Sequence, residues 1–321
     1  MAVTIKDLAR ETGLTAATIS AYFNGANVRP YNKEKIERAI DRLGYVRNDY
    51  ARGLRTHRSM TIGVLIPELS NLFSTTIVSE MEEDLRKKGY GIIVCDCRSD
   101  AAREKESVRF LMSKMADGLI VIPVSSDGSA FTELAASGTP VVAIDRITDS
   151  KNISHIVINN REASKEAVAS MINEGCKSIA IVCGETDVYT AAERFAGYAE
   201  AMEEAGLGEK IVAEVGHFSI DGGYRATKKL IGENPDTDGL FVTNYEMTVG
   251  AIIALKELGK EVGGDIAIMG FDNVEILKAV YPGIKTVSQP ISEIGRTAAE
   301  TLLAAIEGAP VSDKVLKAKM D

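Results

Sequence analysis

Residues 3–25 read VTIKDLARETGLTAATISAYFNG, and this stretch decides what the beginning of the chain is. Thr4 followed by Asp7 has the spacing of a capping box, Leu8 and Ala9 are the first apolar pair, and Gly13 supplies the left-handed residue that closes a helix. Thr15 is placed to cap a second helix reaching Asn24, with Ile19 and Phe23 on one face and Asn24-Gly25 as its stop. A third amphipathic stretch runs from about Lys33 to Leu43, with Ile36, Ile40 and Leu43 as its inward stripe. The order Ala9, Gly13, Ile19 is what a helix-turn-helix needs. A small residue lets two helices cross closely, glycine allows the sharp turn, and a branched side chain packs beneath.

Charge separates this region from the rest. The 321 residues carry a net charge of −9, yet residues 1–58 hold eleven Lys+Arg against six acids, a surplus of five, which leaves the other 263 residues at −14. A small basic head on an acidic body suits phosphate contact by the head alone. The N-terminal MAVTIKDLARETG lacks the apolar core of an export signal, and no apolar run is long enough to span a membrane, so a cytoplasmic protein without membrane partners is expected.

From Thr61 onward, apolar runs of strand length alternate with amphipathic stretches: IGVLIP, GIIVCDC, GLIVIPV, PVVAID, SIAIVCG, GLFVTN and IAIMGFD. Ile77, Met81 and Leu85 mark the stripe of one intervening helix, and Val108, Leu111, Met112 and Met115 that of the next. Continuous apolar strands between helices predict parallel sheets covered on both faces. About 260 residues of this pattern exceed one comfortable core, so two doubly wound parallel-sheet lobes are expected, with a ligand in the crevice at the strands' carboxyl ends. Polar residues gather at those ends: Asn71, Asp145-Arg146, Asn244, Asp272 and Gln289, with Arg194 near a helix start. Each alone fits a turn or cap; several together fit a cleft.

Enzyme signatures are missing. The sequence has no phosphate-binding G-x-x-x-x-G-K-[ST] loop, G-x-S-x-G elbow, G-x-G-x-x-G turn or H-E-x-x-H pair. Four cysteines without a C-x-x-C pair and three histidines leave no metal-ligand cluster; Cys95 and Cys97 read as reduced strand residues, and no metal or cofactor is expected.

The run quoted above, followed by KIERAIDRLGYVRNDYARGLRT at residues 35–56, strongly resembles the lactose-repressor (LacI/GalR) family of bacterial transcriptional regulators, and the likeness extends over nearly the whole chain. The resemblance implies a helix-turn-helix DNA-binding head at 1–46, a hinge helix or linker at 47–58, and an effector-binding and dimerisation body at 59–321. The body resembles the periplasmic sugar-binding proteins, with lobe 1 at about 59–157 plus 288–310, and lobe 2 at about 160–286 plus the C-terminal tail. It implies a homodimer on a pseudo-palindromic double-stranded operator, with Ala16, Ala17 and Ala21 at base-reading positions, Thr18, Ser20 and Tyr22 available for polar contacts, and Leu54 as a minor-groove wedge. Thr4, Thr15, Asn24, Asn48 and Ala51 complete the DNA-contacting set. Ala21 stands where the family commonly has arginine, which removes a bidentate guanine contact. Arg47 replaces a usual proline, and Gly53 inside the hinge costs roughly 1 kcal/mol relative to alanine.

By the same resemblance the effector set is Asn71, Phe73, Asp145, Arg146, Arg194, Asn244, Tyr245, Asp272 and Gln289. These groups suit sugar hydroxyls, because carboxylates accept and guanidinium groups donate. Leu72 and Ser74 replace the usual proline and second aromatic, and Tyr245 stands where aspartate is typical. The reading is a repressor controlled by a sugar or sugar derivative. A nucleobase, a phosphorylated metabolite or a protein co-regulator is the alternative effector; a sugar-transport protein or a carbohydrate-acting enzyme is more remote.

Overall fold

A computed structural model describes residues 3–23, 26–45, 58–272, 277, 279, 281, 283–310 and 312–321. The chain divides into two compact units, Met1–Ser59 and Met60–Asp321.

The first unit is three helices: α1 Ile5–Thr12, α2 Ala16–Phe23 and α3 Pro30–Leu43. The capping box forms as its spacing predicts, with Asp7 N–H donating to Thr4 Oγ1 at 3.4 Å and Thr4 N–H donating to Asp7 Oδ2 at 2.9 Å. Gly13 closes α1 at φ +63° and Gly44 closes α3 at φ +61°, conformations that cost glycine nothing. Thr15 caps α2 by accepting from Thr18 N–H at 3.2 Å. Helix α3 begins at Pro30, three residues before the expected start, because proline's fixed φ suits the first helical position. Leu8, Ile19, Ile36, Ala39 and Tyr45 form the core of this unit, so the inward stripe of α3 centres on Ile36 and Ala39, while Ile40 and Leu43 pack at its edge.

The second unit holds two sheets of the same plan. Strands β1 Thr61–Ile66, β2 Gly91–Asp96, β3 Gly118–Val121, β4 Val141–Ile144 and β5 Ser154–Ile158 make the first. Strands β6 Ile179–Cys183, β7 Val212–Val215, β8 Gly239–Val242, β9 Ala267–Phe271 and β10 Lys285–Ser288 make the second. Their orders are β2-β1-β3-β4-β5-β11 and β7-β6-β8-β9-β10-β12, where β11 is Lys314–Leu316 and β12 Lys319–Met320. Every pairing is parallel except β10 with β12.

Helices α4 Leu72–Lys87, α5 Ala101–Ser113 and α6 Ser129–Ala136 follow strands of the first lobe, and α11 Ile291–Ile306 packs back onto it through α4, β3, β4 and β5. Helices α7 Asn160–Asn173, α8 Tyr189–Glu204, α9 Ile220–Glu233 and α10 Tyr245–Glu257 belong to the second. The seven strands predicted from apolar runs are all present; six are buried as expected of parallel strands covered on both faces, while β2, at the edge of its sheet, is partly exposed. Ile77, Met81 and Leu85 are fully buried. Met115 departs from its predicted stripe: α5 ends at Ser113, and Met115 turns outward with φ +59°.

The chain passes between lobes after β5, after β10 and between β11 and β12. The C-terminal tail, expected whole in lobe 2, is shared: β11 extends the first sheet beside β5 and β12 the second beside β10. Each short strand covers an otherwise open sheet edge. Asn159 stitches two of the crossings, its N–H donating to Leu316 O at 3.0 Å and its Oδ1 accepting from Ala318 N–H at 2.8 Å.

Candidate functional site

In the first unit, α2 offers a small-residue surface. Thr4, Thr15, Ala16 and Ala17 are exposed, and Thr18, Ser20, Ala21 and Tyr22 partly so. Four side chains of this set already have partners: Thr4 Oγ1 donates to Asp7 Oδ2 at 2.7 Å, Thr15 Oγ1 lies 2.9 Å from Thr18 Oγ1, and Tyr22 Oη donates to Glu37 Oε1 at 3.0 Å. Burial and that carboxylate push the Tyr22 phenol up from its ordinary range. Ala16, Ala17 and Ala21 add methyl groups to this surface, which suit thymine methyls. Asn24, Asn48, Ala51 and Leu54 lie outside the described residues.

In the second unit the strand ends of both lobes meet at a cavity of about 400 Å³. Eight of the nine expected effector residues line it: Asn71, Phe73, Asp145 and Arg146 from the first lobe, Arg194, Asn244 and Asp272 from the second, and Gln289 at a crossing. The position of each follows from the fold. Asn71 caps α4 by accepting from Ser74 N–H at 2.8 Å, and Asn244 caps α10 by accepting from Met247 N–H at 2.9 Å. Asp145 and Asp272 end β4 and β9, the matching strands of the two sheets, both left-handed at φ +68° and +69°. Their N–H groups donate to matching carbonyls on the next strand, Ile156 O and Val287 O, each at 2.9 Å. Asp tolerates this conformation better than most residues, and unusual backbone at a cleft is where strain is commonly used.

Each aspartate has a guanidinium near it. Arg146 Nε lies 3.6 Å from Asp145 Oδ2, and Arg146 Nη1 donates to Pro123 O at 2.9 Å. Arg146 Nε is buried with no hydrogen-bond partner, a donor left for something in the cleft. Arg194 is buried, its Nε donating to Asn160 Oδ1 at 2.9 Å and its Nη1 to Thr243 O at 2.6 Å, with its Cζ 3.6 Å from the Phe271 ring centroid. Burial lowers its pKa from the ordinary value, opposed by Asp272 and Asp145. Burial likewise pushes both aspartates up, against the pull of the arginines. Gln289 Nε2 donates to Asp272 Oδ1 at 2.6 Å.

The ninth residue, Tyr245, does not line the cavity. Its ring packs against the core of lobe 2, and its hydroxyl accepts from Leu72 N–H of lobe 1 at 3.4 Å, tying the two helix starts together. Burial and neighbouring Glu246 push its phenol up to about 12. The reason is helical geometry: Asn244 is the cap, and the first helical residue turns away from the mouth.

Glu246 was not foreseen. Its Oε1 accepts from Asn71 Nδ2 at 2.5 Å and its Oε2 from Asn244 Nδ2 at 2.7 Å, so one carboxylate joins the capping asparagines of both lobes. Burial raises its pKa to about 7. An acid in the first turn after a capping asparagine was the available signal, but it reads equally as complement to the helix dipole. Phe218 and His217, also on the wall, occupy two successive left-handed positions at φ +48° and +50°. Nothing in the local sequence marks them. Phe218 lies where a side chain at Gly184 would stand, 1.9 Å from an added Cβ, so that glycine admits the ring. Phe73 and Phe218 give the cavity an apolar surface in each lobe.

The four cysteines are free thiols, and burial pushes Cys97 and Cys183 up to about 11, in keeping with structural roles. Among the described residues no group of ligating side chains is arranged to hold a metal ion, and no helix is long and apolar enough to cross a membrane.

A helix-turn-helix unit followed by a two-lobed body with a polar crevice between its sheets defines a ligand-responsive regulator. Residues 62–310 match the periplasmic binding protein domain family. Catabolite control protein A of Priestia megaterium is 33% identical over 94% of this chain and 92% of its own length. The ribose operon repressor of Halalkalibacterium halodurans is 29% identical over 96% and 92%. The crystal structure of the Lac repressor bound to ONPG in the repressed state superposes with a TM-score of 0.89 at 25% identity, covering 100% of this chain and 98% of that one. The chain belongs to the lactose-repressor (LacI/GalR) family of transcriptional regulators, and is a regulator rather than an enzyme.

Proposed function

We propose that this protein is a homodimeric repressor whose heads read the two halves of a pseudo-palindromic operator, and whose operator affinity is set by a sugar or sugar derivative held between the lobes of the body. The observation that carries the reading is the convergence of Asn71, Phe73, Asp145, Arg146, Arg194, Asn244, Asp272 and Gln289, scattered over more than two hundred residues, on one cavity. The mixture has the chemistry of a hydroxyl-binding site. Asp145 and Asp272 accept, Arg146 Nε and Arg194 donate, the asparagines and Gln289 do both, and Phe73 and Phe218 cover C–H faces. Lobe closure on the ligand changes the body's conformation, and with it the presentation of the heads.

The test uses purified full-length protein. A sugar that seats in the cleft raises the unfolding temperature by mass action and shifts binding to an operator selected from random duplex DNA. Removing residues 1–58 abolishes operator binding and leaves ligand affinity in place. Retention of specific operator binding by the truncated body contradicts the division of labour.

A further inference from the structure

We infer that the cleft selects an uncharged polyhydroxylated ligand and rejects phosphorylated forms of it; this rests on the reading of the cleft as the effector site. The observation is the balance of charge on the wall. Six carboxylates line the cavity, from Glu68, Asp145, Glu185, Asp187, Glu246 and Asp272, against two guanidinium groups and no lysine. Both arginines already have carboxylates as charge partners. Arg146 sits against Asp145, and Arg194 has two donors turned to Asn160 and Thr243, with Asp145 and Asp272 supplying its countercharge. A phosphate would need those guanidinium groups as charge partners, and the aspartates already hold that place.

Backbone amides are the other usual anion donors, and at three helix starts here a side chain already takes one of them. Three helices start at the cavity with a capping residue on its wall. Asn71 takes Ser74 N–H, Asn244 takes Met247 N–H, and Ser219 takes Gly222 N–H at 3.0 Å. Helix α8 starts there too, at Val188 without a side-chain cap, but Glu185 and Asp187 stand directly before it and repel an anion. His217, the remaining basic group on the wall, has its Nδ1 2.6 Å from Glu185 Oε1. A hydroxyl meets no such obstacle. It donates to a carboxylate and accepts from Arg146 Nε, the buried donor without a partner.

The experiment is titration calorimetry on the full chain at low salt near neutral pH, with D-ribose, D-xylose, D-glucose, D-galactose and D-fructose, each compared with its own phosphate ester. At least one uncharged sugar is expected to bind, with its phosphate ester weaker by a hundredfold or so, and the variant Glu68→Gln/Glu185→Gln/Asp187→Asn is expected to narrow that gap by about tenfold. A phosphate ester binding as tightly as its parent sugar overturns the selection and leaves the cleft as the effector site. An unchanged gap in the variant overturns its electrostatic origin. Binding of no sugar in either form overturns the effector reading itself.

Discussion

The two lobes share a strand order and even the backbone conformation of one aspartate, yet they neutralise that aspartate differently. In lobe 1 the countercharge is the next residue, Arg146, whose side chain keeps 16% of its exposure. In lobe 2 it is Arg194, which comes from helix α8 and is only 3% exposed. Topology fixes where a strand-end carboxylate points; what balances it is free to come from elsewhere. The lobe with the distant partner depends more heavily on the pair, because a buried guanidinium that loses its carboxylate cannot turn to water.

That comparison sets the largest expected effect. Asp272→Ala removes the carboxylate that does most to support the charge of Arg194 and is expected to destabilise the body by about 3–5 kcal/mol, whereas Asp145→Ala, beside the partly exposed Arg146, costs about 1–3 kcal/mol. Urea unfolding of both variants checks this, and equal losses would break the distinction between the lobes.

A second pair contrasts the lobes by pH. Burial raises both Glu104 of lobe 1 and Glu246 of lobe 2 to about 7 from 4.5. A carboxyl whose folded pKa is raised holds its proton longer when folded, so stability falls as pH climbs from about 4.5 towards 7. Glu104 is 2% exposed and accepts from Val124 N–H at 2.8 Å, which a glutamine can still do. Glu104→Gln is therefore expected to flatten the fall by roughly 1–3 kcal/mol, leaving stability below that window unchanged. Glu246→Gln should flatten it less, since that group is partly exposed at the cleft. Thermal unfolding from pH 4 to 8, in steps of about one unit, follows both.

The smallest effect lies where the lobes join. Asn159→Ala removes the acceptor of Ala318 N–H and is expected to cost about 1 kcal/mol, read by chemical denaturation. Hydrogen exchange in both β11 and β12 should quicken; protection lost in only one would mean that the crossings act independently.

How much of this was legible depended on how local the information was. The head could be read almost residue by residue, since a capping box and a left-handed glycine such as Gly13 are settled within four positions of themselves. The misreadings there are small: α3 starts at Pro30 and its stripe includes Ala39. In the body, most parallel strands announced themselves as apolar runs, but β5, β7, the half-polar β10 and the two tail strands did not. SHIVI opens with polar residues, VAEV alternates as an edge strand does, and β11 and β12 take their structure from the sheets they border. Eight cleft residues were reachable because strand ends are where such folds bind ligands. Glu246 and Phe218 were not, because one depends on two asparagines meeting across the cleft and the other on space made by Gly184. Tyr245 fell on the wrong side of a helix start.

If both lobes close on one ligand, their matched aspartates, Asp145 and Asp272, both hold it. Calorimetric titration of the tightest-binding uncharged sugar into the wild-type chain, Asp145→Asn and Asp272→Asn tests it most directly. The account predicts that each substitution weakens binding by about tenfold or more while the protein stays folded. Wild-type affinity in either variant would contradict it, because a ligand held by one lobe alone cannot draw the two together.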